Sequence, residues 1–554
     1  MKIIELLNLI PPSKKKGLVF SSIYAIIKAV LDIASLAAII SLLIIILNSA
    51  TVLDKYIPLV LIGVVLVVLT KSIVVYFINI YQSKYNSSLY NYFSHLIFTC
   101  YFHKGVSFAK SNNSNILTYN VMQSSYIFTY GIVNSLINSV KDTIIILLSF
   151  SILCYINIYL FVLSILIFSL SYISYKLIFS SKLKKIGNHY YSLRQKQYKS
   201  IQESFKGIAE HKINGTFPSL VARIRDLSNK SSLDKIKIDT ISSIPWSIME
   251  VSAVILICIS TAYYLLNGRN LKEFTLFIGV GGVAFLKAYT AIRGVMTTIN
   301  TLDVNKKVIN IIKETVQYSN DNLHKSQESS DLEQIEFGKS IAFKDVCFSY
   351  PGSKTILQNL SFNISKGDVV GITGNSGSGK TTLLYLLMGF YSPSKGSIQI
   401  DGKDLDYNNL INWHKQVSYV SQNVFVIDGS ILENITLGED KYNLNRLNNA
   451  INTSKLVNVI SELPNGINSI VGENGSLLSG GQIQRIGISR ALYNDSEIIL
   501  LDEATASLDK ESEQLIIREL LDLSAIGKTI IIVTHRKDIL DYCNNVINLC
   551  DNDG

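Results

Sequence analysis

The sequence predicts an all-α membrane domain of six helices followed by a separate α/β domain. Three observations carry this. Hydrophobic residues make up 48% of the chain and charged residues only 17%, against about 25% charged in ordinary soluble domains. Six apolar segments of spanning length fill the N-terminal part of the chain. Beyond them, short apolar runs alternate with helical stretches, the pattern of a largely parallel sheet. At 554 residues the chain also exceeds one compact domain.

The segments are residues 17–47, 57–80, 132–156, 158–179, 246–266 and 274–293. Each approaches or exceeds the ~20 residues that cross a ~30 Å hydrocarbon core. Their connections alternate in length: short at 48–56, 157 and 267–272, long at 81–131 and 180–245. Lys14–Lys16 precede the first segment, and Lys182, Lys184, Lys185, Arg194, Lys196 and Lys199 crowd the second long connection. By the positive-inside rule the N-terminus and both long connections face the cytoplasm. Both are expected to be helical extensions of the spans. No cleavable signal peptide is expected, because the apolar run after Lys16 far exceeds a signal h-region.

Charge divides the same way. Residues 1–333 carry 33 Lys+Arg against 17 Asp+Glu, and residues 334–554 carry 18 against 25. The basic half is the apolar half, which fits loops flanking membrane helices and argues against a nucleic-acid surface. The six cysteines are scattered without a CxxC or Cys/His cluster, so they read as reduced packing residues. A Ser/Asn-rich stretch at 319–330 reads as a linker, giving domains at 1–333 and 334–554.

In the second domain, Gly374-Asn375-Ser376-Gly377-Ser378-Gly379-Lys380-Thr381-Thr382 fits GxxxxGK[ST] between a strand at 369–373 and a helix at 383–388. Its glycines let backbone N–H groups curl around phosphates. Lys380 can reach the β and γ phosphates, and the Thr381 hydroxyl can ligate Mg²⁺. A buried strand at 498–501 ends in Asp502 and Glu503. The first acid is placed to hold the magnesium shell and the second to polarise an attacking water.

Leu478-Ser479-Gly480-Gly481-Gln482 resembles the signature motif of ATP-binding cassette (ABC) proteins. Further landmarks follow in that family's order. Tyr350 resembles the aromatic that stacks on adenine. Gln422 resembles the Q-loop glutamine, which also reaches the metal, and residues 471–475 resemble the exporter X-loop. Residues 507–509 resemble the D-loop and His535 the switch histidine. The resemblance implies a polytopic all-α transmembrane domain of ABC exporter type with an α/β P-loop ABC ATPase domain behind it, using ATP and Mg²⁺. It implies a catalytic set of Glu503, His535, Lys380 and Gln422. It also implies that Ser479, Gly480, Gly481 and Gln482 close over the ATP of a second copy. With no motif degenerate, a homodimer is expected, a heterodimer being the alternative.

Six spans and one cassette in one chain resemble an exporter half-transporter of the bacterial inner membrane, with N-terminus and cassette cytoplasmic. Coupling helices are expected at 113–123 and 202–215. Such chains usually run on past a strand like that at 546–549, so a short or truncated tail is expected at Gly554.

Polar groups within spans are costly and mark function; here they are Lys28, Asp32, Lys71, Glu250, Lys287 and Arg293. Lys71 lies 14 residues after Ile57, and Lys287 14 after Glu273, each about 21 Å deep at 1.5 Å per residue. They form either a cationic belt for an anionic headgroup, or they snorkel or pair with Asp32 or Glu250. The membrane half more weakly resembles bacterial flippases of lipid-linked oligosaccharides, through Asp32, Pro245 with Glu250, and residues 287–300. Trp246 stands where that group tends to carry an arginine. The expected cargo is an amphipathic lipid-linked glycan. A small peptide or bacteriocin and a hydrophobic drug are the alternatives, and an ATP-gated channel or membrane regulator is the alternative outside the transporter class. The intact pair Asp502–Glu503 favours the transporter.

Overall fold

The computed structural model describes residues 3–47, 57–156, 158–266, 280–323, 335–406, 409–505 and 510–549. The chain divides into two units, Met1–Gln327 and Glu328–Gly554. The short connections expected at 48–56, 157 and 267–272 lie outside the described residues, as do the D-loop residues 507–509 and the tail from 550.

The first unit is helical. Its helices are α1 Ile3–Leu7, α2 Pro12–Leu47, α3 Ile57–His103, α4 Gly105–Ser111, α5 Ser114–Tyr119, α6 Asn134–Ile156, α7 Ile158–Lys206, α8 Ile208–Ile213, α9 Phe217–Leu266, α10 Gly282–Val304 and α11 Lys306–Tyr318. Among the described residues, five helical stretches are long and apolar enough to cross a membrane. The sixth expected span overlaps residues outside the description, and α10 covers its second half.

Three of the apolar helices run well past the ~20 residues a bilayer needs. α3, α7 and α9 run on for 47, 49 and 50 residues, about 70–75 Å at 1.5 Å per residue. Short helices occupy the expected coupling stretches: α5, capped by the Asn113 side chain, and α8. The linker expected at 319–330 is corrected in its first part, because Ser319–Leu323 continues α11 as a π-helical turn. α11 buries Val308, Ile309, Ile312 and Thr315 along one face, and this packing carries the helix past the polar residues that suggested a break.

The helices have two kinds of surface. α3 exposes Leu66, Leu69, Ile73 and Phe77 along one side, whereas its Leu89, Phe93 and Ile97 are buried against Phe128, Ile132 and Ile312. Inside α9, Pro245 has no N–H to give the carbonyl of Ile241 four residues earlier. The Tyr175 hydroxyl of α7 lies 3.3 Å from that carbonyl oxygen and supplies the missing donor.

The second unit holds nine strands among its described residues: β1 Ser340–Ser349, β2 Thr355–Ser365, β3 Val369–Gly374, β4 Lys395–Ile400, β5 Lys403–Asp404, β6 Val417–Val420, β7 Ile498–Asp502, β8 Thr529–Val533 and β9 Asn545–Leu549. An antiparallel sheet has the order β2-β1-β4-β5, and a parallel one the order β6-β7-β8-β3-β9. Every residue of β7 and β8 is buried, as parallel strands covered on both faces must be. The helices follow as α12 Lys380–Leu387, α13 Leu410–His414, α14 Ile431–Thr436, α15 Leu444–Thr453, α16 Val457–Glu462, α17 Gly480–Tyr493, α18 Lys510–Ala525 and α19 Lys537–Leu540.

A two-residue turn, Asp401-Gly402, joins β4 to β5 with both residues at positive φ, the geometry a tight hairpin requires. Its Asp401 carboxylate accepts backbone N–H bonds from Gly338, Lys339 and Ser340 at 2.6–3.1 Å, tying the start of β1 to the hairpin. Partial burial pushes this carboxyl up, but the three N–H donors outweigh it and hold it below the usual carboxylate range. A depressed value means stability that is present at neutral pH and lost as pH falls through the folded-state value. Asp401→Asn is therefore expected to unfold a few degrees earlier at pH 7, read from the fluorescence of the buried Trp413. The gap to wild type should close in acid; a gap that persists there assigns the effect to shape rather than charge.

Candidate functional site

The candidate site forms where the parallel strands end. The loop after β3 carries residues 374–379, β7 ends at Asp502, the loop after β6 holds Gln422 and the segment after β8 holds His535. In-register pairing of β3 with β8, and of β7 with both β6 and β8, brings these four ends to one edge. Ligands of open parallel sheets bind at that edge.

The loop is shaped by glycine. Gly374, Gly377 and Gly379 have φ of 150°, 88° and 95°. A Cβ on Gly374 would run into the Leu549 carbonyl oxygen, whereas one on Gly377 would meet nothing within 4 Å. The Lys380 ammonium folds back onto the carbonyl oxygens of Gly374 and Asn375 at 2.8 and 2.9 Å. The Ser378 hydroxyl is buried without a partner among the described residues. Carbonyl oxygens solvate Lys380 without neutralising it, and an orphaned hydroxyl is a donor in waiting. Both features suit a phosphate group.

Asp502 is the hub of the site. Its Oδ2 accepts from the Thr381 hydroxyl at 3.0 Å and from the Tyr419 hydroxyl at 3.2 Å. Burial pushes its carboxyl up, and the two hydroxyl bonds counter this. Thr381 and Asp502 thus present a hydroxyl and a carboxylate together, oxygen donors of the kind Mg²⁺ takes beside phosphate oxygens. Gln422, bonded to the neighbouring Glu503, brings an amide to the same edge, and the donor set fits that ion.

Glu503 is clamped from three sides. Its backbone sits at φ 49° with its N–H on the Val533 carbonyl at 3.1 Å. One carboxylate oxygen accepts from Gln422 Nε2 at 2.8 Å, and the other lies 3.3 Å from His535 Nε2. A carboxylate held this way, beside Asp502 and Thr381, has the geometry a general base needs.

Residues 478–482 belong to another part of the second unit. Ser479 caps α17: its hydroxyl accepts from the Gln482 N–H at 3.3 Å while Gln482 Oε1 accepts from the Ser479 N–H at 2.8 Å. This capping box fixes the turn of Gly480 and Gly481. α17 is anchored by Ile486 and Tyr493 in a separate apolar core with Ile431, Leu447 and Val471. Arg490 secures it further, donating to the Phe425 and Asn434 carbonyls at 2.9 and 2.8 Å. Tyr350 is half-buried, edge-on to Phe348 and Tyr391, with its hydroxyl 3.1 Å from that of Thr382. Asn375, Ser376 and Thr382 lie in or just after the loop, as the motif placed them.

Sequence reasoning does not reach Tyr419. It sits on β6, three residues before Gln422, and β-strand preference alone accounts for a tyrosine there. Nor does it reach Arg536, the residue after His535, which pairs with the buried carboxylate of Glu513 and so anchors the segment that carries the histidine.

In the helical unit, Lys71 is paired with Asp32 at 2.6 Å and lies 3.1 Å from the Ser35 hydroxyl. Lys28 donates to Asn79 Oδ1 at 2.6 Å. The Arg293 guanidinium stacks on the Trp246 ring. Glu250 is exposed on α9, and Lys287 is half-buried on α10.

Residues 357–506 match the family model described as ABC transporter. Among curated proteins, the chain is 42% identical over 223 residues to the leukotoxin translocation ATP-binding protein LktB of Mannheimia glucosida, covering 40% of this chain and 31% of that one. It is 39% identical over 213 residues to the ATP-dependent lipid A-core flippase of Vibrio parahaemolyticus, covering 38% and 36%. To the alpha-hemolysin translocation ATP-binding protein HlyB of Proteus vulgaris it is 41% identical over 214 residues, covering 38% and 30%. The matched stretch thus spans about a third of each relative. A solved structure of a bacterial Atm1-family ABC exporter with ATP bound superposes at a TM-score of 0.76, covering 97% of this chain and 93% of that one at 20% identity. The chain therefore carries an ABC transporter domain and has, over nearly its whole length, the fold of an ABC exporter: an apolar helical domain followed by one cassette.

Proposed function

We propose that the chain is an ATP-driven ABC exporter of the bacterial inner membrane, a half-transporter acting as a homodimer. The observation that carries this is the clamped carboxylate of Glu503 beside Lys380, Thr381 and Asp502, at the open edge of the parallel sheet.

Lys380 and the N–H groups of residues 374–379 bind the phosphates of ATP. Thr381, Asp502 and Gln422 would hold Mg²⁺, which would supply positive charge against the phosphates. Glu503 accepts the proton of the attacking water, and His535 and Gln422 keep its oxygens aimed. Ser479 and the Gly480–Gly481 backbone of one chain close over the nucleotide held by the other. Tyr350 offers its ring to the adenine.

The cargo we assign is an amphipathic lipid-linked oligosaccharide. One relative is named as a lipid A-core flippase, and charged groups are kept within apolar helices, where they are expensive unless they serve a ligand or a partner. Lys71 is paired with Asp32, so Lys28, Lys287 and Arg293 carry the greater part of the cationic character this cargo needs. Export of a peptide or protein is the second reading, because two relatives are named as toxin translocators.

Glu503→Gln is expected to keep ATP affinity within about twofold while turnover falls by ~10²-fold or more. Wild-type hydrolysis in this variant contradicts the base assignment. Lys380→Ala should weaken ATP binding itself by at least ~10-fold, as loss of a charged hydrogen-bond donor does. Tyr419→Phe, which removes one hydroxyl from Asp502, should slow hydrolysis by about fivefold, the equivalent of ~1 kcal/mol. For the cargo, a polyprenyl-pyrophosphate-linked glycan in proteoliposomes should cross only with ATP and with Glu503 intact. Robust hydrolysis without movement discards the glycan and leaves the exporter.

A further inference from the structure

A shallow, open groove of about 550 Å³ lies between the first turn of α2 and one stripe of α3. Its lining is Lys14 from α2 and Lys84, Ser87, Ser88, Asn91, Tyr92 and His95 from α3. The α3 residues fall at helical spacing, so they form a single face. The lining contains two ammonium groups and several neutral donors but no carboxylate. Among the described residues neither Lys14 nor Lys84 has a carboxylate within ion-pair distance.

The wall of the groove is built by close packing. The Tyr85 ring lies against Gly17, and a Cβ there would stand 2.6 Å from two ring carbons. The Tyr85 hydroxyl donates to the Lys14 carbonyl at 3.4 Å. This contact fixes the start of α2 against α3, and the Lys14 ammonium then reaches the Ser88 hydroxyl at 2.6 Å. Lys15 and Lys16 follow directly. Three cations at the positive end of a helix are unfavourable by themselves, and an anion in the groove offsets them.

Location sets the class of anion. Val19, Phe20 and Ile23 are exposed on α2, and Phe77 and Ile80 on α3. These are apolar sides facing lipid if the helices span as proposed above, and the inference rests on that reading. Lys14 lies five residues before Val19 and Lys84 four after Ile80, about 6–8 Å beyond the apolar zone at 1.5 Å per residue. The headgroup layer occupies roughly the same depth, ~5–8 Å on each side. The groove is open to its surroundings, which suits a headgroup that stays attached to its membrane rather than a ligand that is enclosed.

We propose that this groove binds the phosphorylated headgroup of an anionic phospholipid from the leaflet on the N-terminal side. Lys14 and Lys84 hold the phosphate, and Ser87, Ser88 and Asn91 supply neutral donors around it. The bound lipid pins the first turn of α2 to α3, at the point where the extensions leave the bilayer.

The test uses the full-length protein in nanodiscs and compares a fluorescent phosphatidylglycerol analogue with the matching phosphatidylcholine analogue. Wild type should prefer phosphatidylglycerol by about tenfold, the equivalent of ~1.4 kcal/mol, and the preference should shrink with salt. Lys14→Gln with Lys84→Gln should bind both analogues alike, while Lys14→Arg with Lys84→Arg should keep the preference. An undiminished preference in the Gln pair overturns the site, and so does equal loss in the Arg pair. If a second copy covers the groove instead, Ser87→Cys will form a disulfide between chains that wild type lacks, and the lipid proposal fails. ATP hydrolysis is scored on the same samples. Hydrolysis without lipid preference sinks only this inference, whereas lipid preference without hydrolysis sinks the exporter reading and leaves the groove.

Discussion

Everything in the cassette depends on the parallel alignment of β3, β7 and β8. A parallel pair cannot be closed by a tight turn, so each strand is followed by a crossover, and the loops that begin the crossovers share one edge. Residues distant in sequence meet there. Thr381 bonds Asp502 at 3.0 Å across 121 positions, and Gln422 bonds Glu503 at 2.8 Å across 81. The strands β7 and β8 themselves are apolar and buried up to the acid that ends β7. The hydrophobic core thus does the positioning, and the chemistry sits at its rim.

The helical unit answers a different constraint. In a hydrocarbon setting every backbone polar group must find a partner within the protein, and a side-chain polar group is expensive unless it finds one. Tyr175 meets the carbonyl that Pro245 leaves free, and Asp32 meets Lys71. Farther along the same helices, Asn120 accepts from Tyr191 and Gln195 at 3.1 and 2.7 Å and donates to Tyr101 at 3.2 Å. This network joins α3 and α7 at the residue that follows α5, one of the two expected coupling helices. Polar networks of this kind specify one arrangement of helices where apolar packing alone would permit several.

Much of the site was legible because its spacing is local. The phosphate loop, the two acids and the signature serine each occupy a short run whose neighbours announce a strand or a helix start. Tyr419 was not legible, because a strand tyrosine looks the same whether its hydroxyl meets water or Asp502. The Lys71–Asp32 pair was legible only as one alternative, since two separate helices must be set side by side before a pair can be chosen. The polar run at 319–330 misled in its first residues because composition hides the buried face of α11. The groove at Lys14 needs two helices and one close glycine contact, none of which has a motif.

The central claim is that the cassette hydrolyses ATP at a site completed by a second copy. Its most direct test is complementation between two inactive chains, Lys380→Ala and Ser479→Arg, co-expressed with different affinity tags and purified through both. Each variant alone should be silent. The mixed dimer should regain hydrolysis, because it joins one intact phosphate loop to one intact signature turn. A mixed dimer as silent as its parents would contradict the account, and so would substantial activity in Ser479→Arg alone.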